Sequence, residues 1–171
     1  MKTLMVVLFS AACALAQLTD GPQVPQLLAA HGIKSAAEFL RVQRTFQNAV
    51  AAIPAATAEM DQAVLCARHR SSIPCVTDFD ATIREFQAAR FNLRKSYHQA
   101  NDALDGIVLE IDVRSFATGK DKLNLSLEDG FAIARYLKAI RENLDRNLVI
   151  AERQWHRTWR HAEKIVIRRR R

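Results

Sequence analysis

The sequence predicts an all-α protein: an antiparallel bundle of three long helices, four if Pro54 is a true turn, with coiled-coil-like seams. Two long apolar templates at helical spacing carry this reading, together with the absence of any sustained period-two alternation. The first template is Phe79, Ile83, Phe86, Arg90, Leu93, Tyr97, Ala100, Leu104, Ile107 and Ile111, with spacings that alternate four and three. All its positions but Arg90 are apolar or aromatic, which makes a heptad seam. The second is Ile133, Leu137, Ile140, Leu144, Leu148, Ala151, Trp155, Trp159, Ala162 and Val166. Its repeat places Ile133, Leu144, Trp155 and Val166 eleven apart, a period that keeps a helix nearly straight or gives it a slight right-handed turn. With five Gly and four Pro in 171 residues, a turn-rich β sandwich is not expected.

Residues 1–16, MKTLMVVLFSAACALA, read as a signal peptide. One Lys precedes an apolar run from Leu4, and Ala14-Leu15-Ala16 is the small-x-small pattern that signal peptidase cuts behind. The mature chain is expected to begin at Gln17 and to be secreted into the extracellular space. No transmembrane segment is expected, because the leader's run is short and no later stretch reaches 18 apolar residues without a charge. Cleavage removes Cys13 and leaves Cys66 and Cys75, an even pair in an oxidising compartment. They are expected to bridge the loop CARHRSSIPC and staple one hairpin, a contribution of roughly 2–3 kcal/mol on the chain-entropy account.

Residues 17–167 form a single expected bundle domain. A short helix through Gln26 and Leu27 should stop at Gly32, a natural left-handed end. Ser35-Ala-Ala-Glu38 has the form of a capping box, and Phe39, Val42, Phe46, Val50 and Ile53 follow on one stripe. Met60, Val64 and Ala67 continue the spacing beyond Pro54, so Pro54 either kinks one helix or opens a second. Ser71, Ser72 and Pro74 form the next turn, and Thr77-Asp78-Phe79-Asp80 caps a helix to about Asp112 with a weak point at Gly106. Arg90 is expected to snorkel at the seam's edge. A loop over 114–125 leads to Ser126-Leu-Glu-Asp129, which caps a last helix of some 40 residues.

The usual enzyme signatures are missing: there is no Gly-rich phosphate loop, nucleophile elbow or H-E-x-x-H helix. No Glu has a His three residues later, as a di-metal bundle site would need, and no cofactor or metal is expected. Glu152 with His156, and His98 with Asp102, stand four apart and read as polar surface pairs. The expectation is a protein that is not an enzyme.

Charge is the one feature that points to a function. Residues 17–151 carry 16 Lys plus Arg against 16 Asp plus Glu. Residues 152–171 carry eight cations, Arg153, Arg157, Arg160, Lys164, Arg168, Arg169, Arg170 and Arg171, against two carboxylates, a net of +6. Residues 168–171 form a basic C-terminal tail. Such a helix suits an acidic extracellular partner: a glycan, an anionic lipid surface or an acidic protein. Trp155 and Trp159 lie one turn apart on the apolar stripe and read as core, with contact to a membrane or glycan as the alternative role. With a leader present, no nucleic acid is expected as a partner. Asn124-Leu125-Ser126 is a candidate N-glycosylation site. The functional expectation is therefore a secreted helical interaction or structural protein with a basic C-terminal helix. The alternative is a helical-bundle carrier of lipid or another apolar ligand. Self-association through the long seams is a further expectation.

Overall fold

The structure is a computed structural model and describes residues 23–68 and 78–169. The leader and its cleavage point, the turn at Ser71 and Ser72 with Cys75, and Arg170 and Arg171 all lie outside the described residues. Four helices pack together: α1 (Gln23–Ala30), α2 (Ser35–Arg68), α3 (Phe79–Phe116) and α4 (Leu127–Arg169). A single 3-10 turn, Gly119–Asp121, interrupts the link between α3 and α4, and no strand occurs among the described residues.

Side-chain bridges between helices fix the directions. Gln154 reaches Thr57 and Thr158 reaches Asp61, both across 97 residues, so α2 and α4 run parallel. From Arg90–Glu152 through Tyr97–Asp145 to Asp105–Arg141, the separation falls from 62 to 48 to 36, so α3 runs antiparallel to α4. The expected templates are the core: Phe46, Ile53, Met60, Phe86, Leu93, Leu104, Ile107, Ile140, Leu144 and Ala162 are all buried. At roughly 1.5–3 kcal/mol per large apolar side chain, this burial is what sets the helix faces.

Pro54 neither breaks α2 nor starts a new helix, so the three-long-helix form is the observed one, with α1 as a short fourth. Pro54 is exposed, and just after it the Thr57 hydroxyl donates to the Pro54 carbonyl at 2.8 Å, holding that turn. Gly106 likewise lies inside α3 without interruption, and α3 continues four residues beyond the expected end at Asp112.

α1 ends as expected. Gly32 sits at φ 64°, the Ile33 amide donates to Leu28 O and the Gly32 amide to Ala29 O, which together make a Schellman motif. Leu28 and Ile33 are both buried, the apolar contact that accompanies this ending.

The capping box at Ser35 does not form. Glu110, from α3, accepts from the Lys34 amide at 3.0 Å, the Ser35 amide at 2.9 Å and the Ser35 hydroxyl at 2.6 Å. Glu38 instead pairs with Arg41. Glu110 holds three donors, the Ser35 amide that Glu38 would have taken together with the Lys34 amide and the Ser35 hydroxyl, where Glu38 would reach only one, so the distant residue wins. One turn on, Arg114 donates to the carbonyls of His31 and Gly32, both at 3.0 Å, and so caps α1. Glu110 and Arg114 together grip the joint between α1 and α2.

The expected cap at Ser126 does form: the Asp129 amide donates to the Ser126 hydroxyl at 3.0 Å, and that hydroxyl donates to the Asp129 carboxylate at 2.7 Å. Asp78 caps α3 by accepting from the amides of Asp80 and Ala81.

Candidate basic face of the last helix

At 100° per residue, Arg153, Arg157, Arg160 and Lys164 fall within an arc of about 60° and span about 16 Å of helix. Their spacing of four, three and four makes one stripe rather than a scatter around the helix. All four side chains are exposed, and the stripe lies opposite the buried Ala151, Trp155 and Ala162. Glu152 points to α3 instead of the stripe. The α4 backbone continues to Arg169, and the 97-residue offset brings Arg68 level with Ile165, so the end of α4 reaches about one turn past the end of α2.

The inner face holds the aromatic residues. Trp155 is 3% exposed, donates its indole N–H to Phe86 O at 2.9 Å, and stacks on Phe86 with centroids 4.9 Å apart. Trp159 is half-buried and stacks on Trp155 at 5.4 Å. Trp155 is buried in the core and has no surface to offer a membrane or glycan, while Trp159 packs against the core with part of its ring exposed.

Arg90 does not snorkel freely. Its guanidinium lies 4.4 Å over the Trp155 ring and donates to both Glu152 oxygens at 3.1–3.2 Å. Arg94 donates to the same carboxylate at 2.6 Å, and His156 Nε2 stands 3.1 Å from both Glu152 Oε2 and Arg90. Burial pushes the Glu152 pKa up, but hydrogen bonds from Arg94 and Arg90 and their charges outweigh it and hold the carboxyl below its ordinary value. Tyr97 donates to Asp145, and this bond, with burial and the carboxylate's charge, raises the Tyr97 pKa. With Arg141 on Asp105, these contacts form a polar ladder along the α3–α4 edge. Spacing within one helix cannot reveal it, because each rung joins residues at least 36 positions apart. The single sequence signal was Arg90, a charge on an apolar seam.

The other candidate residues stay apart from this face. Asn124 is exposed in the link before α4, between buried Leu123 and half-buried Leu125. Cys66 is half-buried in the last turn of α2, while Cys75 lies outside the described residues. His98 and Asp102 are both exposed, with the His98 ring edge-on to Tyr97. Among the described residues, no three His, Cys, Asp or Glu side chains gather as a metal would need. No described helix is long and apolar enough to cross a membrane.

Fold and site together define an all-helical bundle that presents a basic stripe on the outward face of its longest helix. No protein-family model matches the chain, and comparison with curated proteins and with solved structures found no match either.

Proposed function

We propose that the chain is the precursor of a secreted, non-enzymatic interaction protein that binds a linear acidic polymer, such as a sulfated or carboxylated glycan, along the outward face of α4. The observation that carries this reading is the alignment of Arg153, Arg157, Arg160 and Lys164 into one exposed stripe. A row of cations about 16 Å long gains from a polyanion by releasing its condensed counterions, an effect that falls steeply with salt. The arginines at 168–171 extend the same charge in sequence. An anionic membrane is a poorer fit, because a helix lying in the interface turns its aromatic residues to the lipid, and here Trp155 faces the core. The leader pattern of residues 1–16 supports secretion, and the proposed Cys66–Cys75 bridge would tie the end of α2 to the start of α3.

The test is elution from heparin across a salt gradient. Neutralising Arg153, Arg157, Arg160 and Lys164 to Gln should bring elution to much lower salt. A chain ending at Lys164 should show an intermediate loss. The control neutralises Arg44, Arg84, Lys95 and Lys120, four exposed cations outside the stripe, and so has the same net charge. If the control and the stripe variant elute together, net charge alone governs retention and the proposed site is wrong.

A further inference from the structure

At the end of the bundle away from the basic stripe, large apolar side chains face outward. Phe116 is 88% exposed, Leu127 78% and Phe131 60%, and Leu109 and Val113 are exposed to a similar degree. Leu109, Val113 and Phe116 share one stripe of α3, while Leu127 and Phe131 are one turn apart on α4. The parallel offset explains part of this: Ser35 comes level with Ala132, so Leu127 and Phe131 lie just beyond the start of α2. Between α3 and α4 runs an open groove of about 410 Å³ lined by Val108, Ile111, Ile133, Ala134 and Leu137 among others. The polar ladder ends at Asp105–Arg141, where this groove begins. α1, with Val24 and Leu28 buried, packs on α2 and α4; no described helix covers the groove between α3 and α4.

We propose that a second copy of this chain docks on this surface, α4 against α4, antiparallel about a two-fold axis at Phe131. Two observations favour a second copy over other occupants. The first is area. The exposed parts of Val108, Leu109, Val113, Phe116, Leu127 and Phe131 amount to roughly 700 Å², near the ~800 Å² that each partner of a stable complex buries. The second is the sign pattern of the rim. Glu128 and Arg135 flank Phe131 on the same face, both exposed, and neither has an ion-pair partner among the described residues. An antiparallel pairing whose axis passes beside Phe131, midway between Glu128 and Arg135, sets Glu128 of each copy against Arg135 of the other, twice over. Opposite charges at mirrored positions are what an isologous contact requires.

The experiment is sedimentation velocity on the full mature chain, made without glycan at Asn124, at concentrations up to about 100 µM, where a Kd of ~1 µM gives nearly complete dimer. The wild type should dimerise. Glu128→Arg alone and Arg135→Glu alone should each weaken dimerisation by about tenfold or more, and the double exchange should recover the wild-type Kd to within about threefold. The double exchange carries the same change in the first turn of α4 as Glu128→Arg, so its recovery separates pairing from folding. A wild type that remains monomeric overturns the proposal, as does a dimer indifferent to both reversals. A monomer that carries an apolar ligand in native mass spectrometry also overturns it, and gives the groove to that ligand.

Discussion

Glu110 is the residue whose loss should be felt furthest from its own helix. Its carboxylate receives three hydrogen bonds at the start of α2 and pairs with Arg114 at 3.6 Å, while 21% of the side chain stays exposed. Charge-assisted bonds contribute about 1.5–3 kcal/mol each in favourable cases, but these share one carboxylate and are partly solvated, so Glu110→Gln should cost about 2–3 kcal/mol. The amide keeps the shape yet turns an N–H toward a donor. For a domain of this size that is a fall in Tm of roughly 5–10 °C. Burial pushes the Glu110 pKa up, but the Ser35 hydroxyl, the Ser35 and Lys34 amides and the Arg114 charge outweigh it and hold it below the ordinary value. A lowered folded pKa means that the stabilisation is complete above the unfolded value, about 4.3, and disappears as pH falls through the lower folded value. Urea unfolding followed by circular dichroism, on wild type and Glu110→Gln side by side, should therefore give a constant gap from neutral pH to about pH 6 that closes below about pH 4. A gap under about 0.5 kcal/mol at neutral pH, or one that survives at the acid end, would refute the capping argument.

Three further outcomes follow from named contacts. Leu93→Ala, at a position with no exposure in the middle of α3, should destabilise the bundle by about 2–5 kcal/mol in the same unfolding assay. In a Trp159→Phe chain the remaining Trp155 should emit in the blue and resist acrylamide quenching, and heparin should leave both properties unchanged because the indole faces Phe86. The mature protein secreted from a eukaryotic host should have a mass that begins at Gln17, and that mass should rise by two hydrogen atoms when the proposed Cys66–Cys75 bridge is reduced.

The periodic part of the fold was legible in the sequence because burial on a helix repeats every three or four residues. Each position of the α3 and α4 templates is buried or half-buried, and Gly32 and Ser126 end and begin helices as their chemistry suggests. Misreadings occurred where a local motif competed with a residue far away in sequence. Ser35 and Glu38 have the right spacing for a capping box, yet Glu110 arrives from 75 positions away and displaces it. Pro54 was ambiguous because propensity alone does not say whether tertiary packing will carry a helix through a proline; buried Ile53, Thr57 and Met60 on either side do so here. The basic residues were visible as a cluster, and their alignment follows from the helical angle alone, so that stripe was available from spacing. The ladder from Arg90 to Glu152 was not, since it depends on which helices become neighbours.

The three long helices are not fastened alike. α2 and α3 share the most extensive contact, through apolar side chains, whereas one edge of α4 is held by the Glu152, Asp145 and Asp105 rungs. Apolar contact does not weaken with ionic strength or acid, whereas carboxylate rungs do, and the α2–α3 pair carries its carboxylate clamp, Glu110, only at one end. On this account α4 should open at lower cost than the α2–α3 hairpin. Amide hydrogens of α4 should accordingly exchange before those of α3, and the difference should widen as salt rises or pH falls. The helix that bears the cations on its outer face is then also the one whose inner edge answers most to salt and acid.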